Sequence, residues 1–366
     1  MNNVLNLIGP TATPSEHKLL TTEAGNMEVA NMQRAFRQDI ERKHAHLQYD
    51  LEGLTKLQQE ETEAFKVLQS RGLTLDIDVF TREMNTVIDN YQQQGKTTEA
   101  HQQTMRRDKI LQLHPQTDVI HPVFSTQSSR TGRITVSKPA LQSWKSTVRS
   151  ALLPSTEGYD YIYSFDCKAY DPTVLGVLSK DENLQQDLRA KDFYTELLNQ
   201  IGEGDKDENY RKAFKHLFLA CFINGGDVAH HLQKNALPLT RAQWQKIEER
   251  YATAVKYRDD IEQYGTAKSL NGITYLFKSE DNAKFAKFIQ HEAAYVFRHI
   301  FTTVFNQETA LDMQVILPVH DEILVAVKDS KSIGKICEMM INAFQMVTGQ
   351  SALKIKTAPV RGGHNE

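Results

Sequence analysis

The chain has 366 residues, 40% hydrophobic and 24% charged, enough polypeptide for two or three domains. No apolar run approaches the roughly 18 residues of a membrane span. The first residues carry no basic leader, and Cys167, Cys221 and Cys337 are too scattered for a disulfide framework or a zinc knuckle, which points to a reducing cytoplasm. The formal net charge of −3 argues by itself against a nucleic-acid partner. Residues 101–150, however, set Arg106, Arg107, Lys109, Arg130, Arg133, Lys138, Lys145 and Arg149 against only Asp108 and Asp118. Such a strip either grips phosphates or is a solvated surface.

Residues 1–50 are polar, with a helix predicted over 28–49 and no suggestion of chemistry. Apolar spacing predicts a helix from Leu51 to Leu68, stopped by Arg71-Gly72, and another from Val79 to Tyr91 capped by Asp78. The glutamine-rich stretch 92–103 reads as an exposed helix or a connector. Tyr159 to Phe165 reads as a strand ending on Asp166, and a helix follows at Pro172 with Asp171 as a candidate cap. Further helices are predicted over 210–223, ended by Gly225-Gly226, and from Ala283 to Phe305. Met313–Val319 and Ile323–Val327 read as a hairpin broken by His320-Asp321-Glu322. No internal repeat is present.

Asp166 and the Asp321-Glu322 pair interrupt apolar strands. Carboxylates on adjacent strands can share two divalent cations about 3.5–4 Å apart, the arrangement used for in-line phosphoryl transfer, although a single strand-end Asp more often just makes a turn. Arg211, Lys212 and Lys215 share one helix face that could hold a triphosphate, or could simply be solvated. Taken together, acids, cationic helix and basic strip describe a nucleotidyltransferase.

The segments carrying these groups resemble, in order, the motifs of family A DNA polymerases, the family of bacterial DNA polymerase I. Leu68 to Asp76 is similar to the segment opening that family's polymerase domain, and Arg130 to Ile134 with Pro139 to Gln142 is similar to its T-G-R-L … P-N-L-Q stretch. Phe165 to Asp171 resembles motif A, Lys191 to Tyr194 a K-D-I-H helix start, Arg211 to Asn224 motif B, Ile289-Gln290 the glutamine segment before a helix, and Val319 to Glu322 motif C. The resemblance runs from about residue 52 to the C-terminus. It implies an α+β multidomain right-hand polymerase fold, with an antiparallel palm sheet, mostly helical fingers and a reduced thumb. The expected division is an N-terminal helical extension (1–50), reduced thumb and start of the palm (51–130), palm with motif A (131–185), fingers with motif B (186–280) and palm with motif C (281–366).

The resemblance implies roles as well. Asp166 and Asp321 would hold two Mg²⁺ ions, with Mn²⁺ able to substitute and Glu322 beside them. Arg211 and Lys215 would contact the phosphates of an incoming dNTP, Lys215 also donating a proton to the leaving pyrophosphate, and Tyr194 stands where the family has His. Arg133 and Gln290 would reach the minor groove of a primer–template DNA, His320 would lie near the primer end, and Gln142, Lys138, Lys145 and Arg149 would contact DNA. Asp171 replaces the family's Glu at the sugar and is one methylene shorter, so discrimination against ribonucleotides is expected to loosen. Leu219 replaces an aromatic platform, and Gly225 comes one residue late, implying an insertion or a changed pocket floor.

The short stretch from Asp76 to Thr131 leaves little room for a thumb, and residues 1–50 are too few for an exonuclease domain. The expectation is a minimal template-directed DNA polymerase without proofreading, distributive unless a processivity partner clamps it. Its compactness points to a phage, plasmid or mobile-element replication protein in the cytoplasm of a bacterial cell or phage-infected host. The alternatives are a primase-like or ribonucleotide-tolerant nucleotidyltransferase, and a catalytically decayed nucleic-acid-binding replication module.

Overall fold

The computed structural model describes residues 51–361 apart from 114–118, 155–157, 160, 235–236, 238 and 279, so the helix expected over 28–49 lies outside the described residues. Helix α1 (Leu51–Arg71) buries Leu57, Ala64, Phe65 and Leu68 at helical spacing. Gly72 ends it at φ +69°, where a Cβ would meet Val119 Cγ1 at 2.5 Å, so backbone sign and space both demand glycine. Strand β1 (Leu73–Leu75) leads into α2 (Ile77–Gln93) and α3 (Thr97–Leu113), which pack together. The α2 cap is Asp76 rather than Asp78. Its carboxylate accepts the Val79 N–H with one oxygen and a 2.8 Å bond from Arg361 with the other. Asp78 falls in the first turn, where a negative charge suits the helix dipole. The glutamine-rich stretch is shared between the end of α2 and the start of α3.

Short strands β2 (Val119–Ile120), β3 (Val123–Ser125), β4 (Thr135–Ser137) and β5 (Leu152–Leu153) form a β2-β1-β5 sheet and a β3-β4 pair. Strand β6 (Tyr161–Cys167) runs two residues past its expected end, so Asp166 is inside it. Helix α4 (Tyr170–Ser179) is entered through Ala169 in the left-handed region; Pro172 and Asp171 both lie in its first turn, and Asp171 is therefore not the cap. A helical lobe follows: α5 (Glu182–Asp187), α6 (Phe193–Gln200), α7 (Glu208–Phe218), α8 (Val228–Lys234), α9 (Arg241–Arg250) and α10 (Ala252–Tyr264), with the β7 (Thr266–Lys268)–β8 (Thr274–Leu276) hairpin. α7 does not continue to residue 223 as an α-helix. Leu219–Ile223 forms a π-turn, closed by Asn224 N–H to the Leu219 carbonyl at 3.0 Å. An i→i+5 turn takes up one residue more than an α-turn, so the late Gly225 is absorbed as an insertion.

The long helix α11 (Lys284–Phe305) contains Gln290 in its second turn rather than preceding it. Then come β9 (Met313–Val319), β10 (Glu322–Val327), α12 (Ser332–Thr348) and β11 (Ile355–Arg361). The central sheet has the order β11-β6-β10-β9 and is antiparallel throughout. Two hydrophobic cores result. One joins this sheet, α1, α2, α12 and the second half of α11, from Ala293 to Val304; the other fills the helical lobe and takes in Phe285, Phe288 and Ile289 from the first half of α11. α11 is thus the beam shared by both bodies. Arg298 on it makes a bidentate buried ion pair with Glu61 of α1. Among the described residues no helix is long and apolar enough to cross a membrane.

Candidate active site

Asp166 occupies the middle of the central sheet, opposite Glu322 of β10 on one side and Lys356 of β11 on the other. Asp321 is brought to it by the two-residue turn between β9 and β10. His320 takes φ 57° there, the sign that such turns favour at their first position, and the Asp321 carbonyl accepts the Cys167 N–H at 3.0 Å. Both carboxylates open into one cleft between the sheet and α7, which Asp171, Tyr194, Arg211, Lys215 and Leu219 also line.

The two acids are not neutralised by the protein. Burial, then the charges of Asp166 and Asp171, push Asp321 up to about 7; burial and then Glu322 raise Asp166. Lys215 opposes both shifts without cancelling them. Glu322 stands beside Asp166 on the ladder. Its carboxylate is engaged by Arg149 at 2.6 Å and by the Ser164 hydroxyl, in an adjoining groove. Asp166 and Asp321 line the cleft and Glu322 does not, and among the described residues no group of three or more His, Cys, Asp or Glu side chains is disposed to hold a metal. A pair of hard oxygen donors with excess negative charge still fits a cation that keeps waters and substrate oxygens as its other ligands.

Arg211 is held in place before any ligand arrives. Asp192 caps α6 by accepting the Thr195 N–H at 2.8 Å and grips the guanidinium of Arg211 bidentately, and against the upward push of burial that contact holds Asp192 down to about 2. The Tyr194 ring lies beneath both cations, 5.9 Å from the Arg211 guanidinium carbon and 5.7 Å from Lys215 Nζ. Its buried hydroxyl has no hydrogen-bond partner among the described residues. Leu219 begins the π-turn at the cleft edge.

A second groove beside Asp321 gathers Arg133, Asp171 and His320. Arg133 stands 3.7 Å from the Asp171 carboxylate, which burial nevertheless raises above its ordinary value. Partial burial and the charges of Arg133 and Arg149 hold the His320 imidazole below its usual range. Gln290 donates to Asn224 at 3.3 Å, joining α11 to the residue just after the π-turn. Lys138 is exposed. The Gln142 amide donates to the carbonyls of Ile134 and Pro318 and accepts the Val136 N–H, which ties β4 and the residue before it to β9. Sequence reasoning missed Asp192 as the partner of Arg211, and missed Lys354 and Lys356 in the cleft wall. The Lys-Ile-Lys spacing at 354–356, leading into β11, is the signal that could have found the latter pair.

A two-acid sheet faced by a cationic helix across a cleft is the architecture of a right-hand polymerase. The polymerase domain of Pol1 from M. smegmatis, solved in complex with DNA primer-template and dNTP, superposes with a TM-score of 0.74 at 13% identity, covering 98% of this chain and 81% of that one. The family model for DNA polymerase family A matches residues 50–358, and the chain belongs to that family. It is 25% identical over 302 residues to DNA polymerase I of Geobacillus stearothermophilus and 23% identical over 306 residues to that of Bacillus caldotenax, matching 73% and 74% of this chain. The match spans about a third of the length of each of those relatives, 33% and 34%.

Proposed function

We propose that this chain is a template-directed DNA polymerase that adds deoxynucleotides to a primer 3′-OH by two-metal-ion phosphoryl transfer. The observation that carries the reading is the convergence, in one cleft, of Asp166 and Asp321 with the Arg211–Lys215 face of α7. The sheet would act as palm, the helical lobe as fingers and the α2–α3 pair as what remains of a thumb. Asp166 and Asp321 would hold two divalent cations, Mg²⁺ with Mn²⁺ able to substitute, which when bound stabilise the attacking and leaving oxygens.

Arg211, pre-aligned by Asp192, forks onto the triphosphate; Lys215 neutralises it as a point charge and passes a proton to the departing pyrophosphate. The unpartnered Tyr194 hydroxyl donates to a phosphate oxygen from below. Arg133 and Gln290 contact minor-groove acceptors common to all base pairs, so they hold the primer end without reading sequence. Gln290 must release Asn224 to do so. Asp171, drawn toward Arg133 and one methylene short, leaves more room at the sugar 2′ position, so ribonucleotides are rejected less strictly.

Primer extension on a defined template tests this. The expected result is templated, stepwise addition of dNTPs that is lost in Asp166→Ala and Asp321→Ala while primer–template binding is kept. Equal rates with dNTPs and rNTPs would replace the reading with a ribonucleotide-tolerant transferase. No extension by the intact chain, with DNA binding retained, would leave a decayed binding module.

A further inference from the structure

The sheet side of the cleft carries a second set of cations to which no role has been assigned. Lys168 lies just past β6, and Lys354 and Lys356 flank the start of β11. Backbone pairing fixes them together: the Lys168 N–H donates to the Lys354 carbonyl at 2.8 Å, and Lys356 stands opposite Asp166 in the register. All three line the same cleft that Arg211, Lys212 and Lys215 line from α7.

The two sets differ in how their charge is met. Arg211 is already bonded to Asp192, whereas none of the three sheet-side lysines has a carboxylate within ion-pair distance among the described residues. The Lys354 ammonium donates to the Ala190 carbonyl, a neutral group. Burial and the Lys168 charge hold it below the ordinary lysine value, with Asp192 opposing. Lys168 and Lys356 act on Asp166 only at longer range. Three ammonium groups lining one cleft, none ion-paired among the described residues and met only at longer range by Asp166 and Asp192, favour the entry of a multivalent anion. With the α-phosphorus of a nucleotide at Asp166 and Asp321, its next two phosphates would lie in the cleft that α7 and these lysines line.

We propose that Lys168, Lys354 and Lys356 form the second jaw of a clamp for the β- and γ-phosphates of the incoming nucleotide and for the pyrophosphate released from it. The inference rests on the nucleotidyl-transfer reading above and names the residues that hold its leaving group. Lysines suit this task because point charges on flexible stems follow an anion that changes shape between bound triphosphate and free pyrophosphate.

The test is calorimetric titration of inorganic pyrophosphate, in magnesium buffer, into the intact chain and the variants Lys168→Gln, Lys354→Gln, Lys356→Gln and Lys354→Arg. Each Gln variant is expected to weaken binding about tenfold, the scale of one charged hydrogen bond, and to raise the dNTP KM by a similar factor with primer–template affinity unchanged. Lys354→Arg should restore most of the loss. Thermal melting checks folding, and removing a repelled charge should leave it unchanged or raised. Unaltered pyrophosphate binding across the set overturns the proposal. So does a loss of primer–template affinity with pyrophosphate binding intact, which would assign these lysines to the DNA backbone. Pyrophosphate binding is read without extension, so a chain that binds it through these lysines yet extends no primer keeps this site and loses only the polymerase reading.

Discussion

Glu61 and Asp321 are both carboxylates withdrawn from water, in two regions treated in opposite ways. At the α1–α11 junction Glu61 meets Arg298 in a buried, bidentate pair that closes the charge within the fold. In the cleft, Asp321 is crowded by Asp166 and Asp171 and is helped only by a backbone N–H and the charge of Lys215, with no bonded cation. Where the fold satisfies its own charge, the group serves architecture. Where it leaves the charge open, it reserves that charge for something that arrives later.

The largest effect that sharpens this contrast is at the open site. Asp321→Asn should cut extension about 10³-fold or more, because a metal ligand supplies several kcal/mol of transition-state stabilisation, yet leave urea stability unchanged or raised as repulsion is relieved. A large loss of stability would erase the distinction. At the closed site the balance reverses. Arg298→Met leaves Glu61 buried and unpaired and should cost about 3–5 kcal/mol in urea unfolding. Glu292, nearer the start of α11, gives a smaller effect that depends on pH. Burial pushes it up to about 8 from an ordinary 4.5, against the Leu270 N–H bond to its carboxylate. A carboxyl raised in the folded state stabilises fully below its unfolded pKa and loses that contribution as pH rises through the folded one. Wild-type stability should therefore fall between about pH 4.5 and about 8 and level off beyond it, and Glu292→Gln should flatten that slope. An unchanged slope would show that other groups set it. The smallest effect belongs to exposed Lys138: changing it to Ala should weaken primer–template binding on all sequences alike and reduce the salt slope by about one.

The parts of the fold legible in the sequence were those with local causes. The β9–β10 hairpin, the α1 stripe and the two acids follow from alternation, helical spacing and polar residues breaking apolar runs. Boundaries slipped where two local solutions compete. Asp76 beats Asp78 as the α2 cap because Arg361, far along the chain, fixes its second oxygen. Ala169 rather than Asp171 precedes α4 because the chain must turn sharply out of β6. The π-turn could be suspected only from the late Gly225, since an added residue leaves no mark on hydrophobic spacing until the helix has closed. Motif position likewise says nothing of Arg149, Ser164 or the Pro318 carbonyl, which bond Glu322 and Gln142 in three dimensions. Lys354 and Lys356 stayed hidden because only strand pairing carries them to Asp166.

The order β11-β6-β10-β9 has a consequence for biosynthesis. β6, which carries Asp166, is flanked on both sides by strands translated long after it, and its outer neighbour is formed by residues 355–361. While the nascent chain emerges, β6 remains an unpaired edge, and neither Asp321 nor the lysine pair has yet been made. Ribosome-bound chains stopped before residue 313 should therefore protect β6 poorly against hydrogen exchange, and the cleft should form only once residues 355–361 have paired with it.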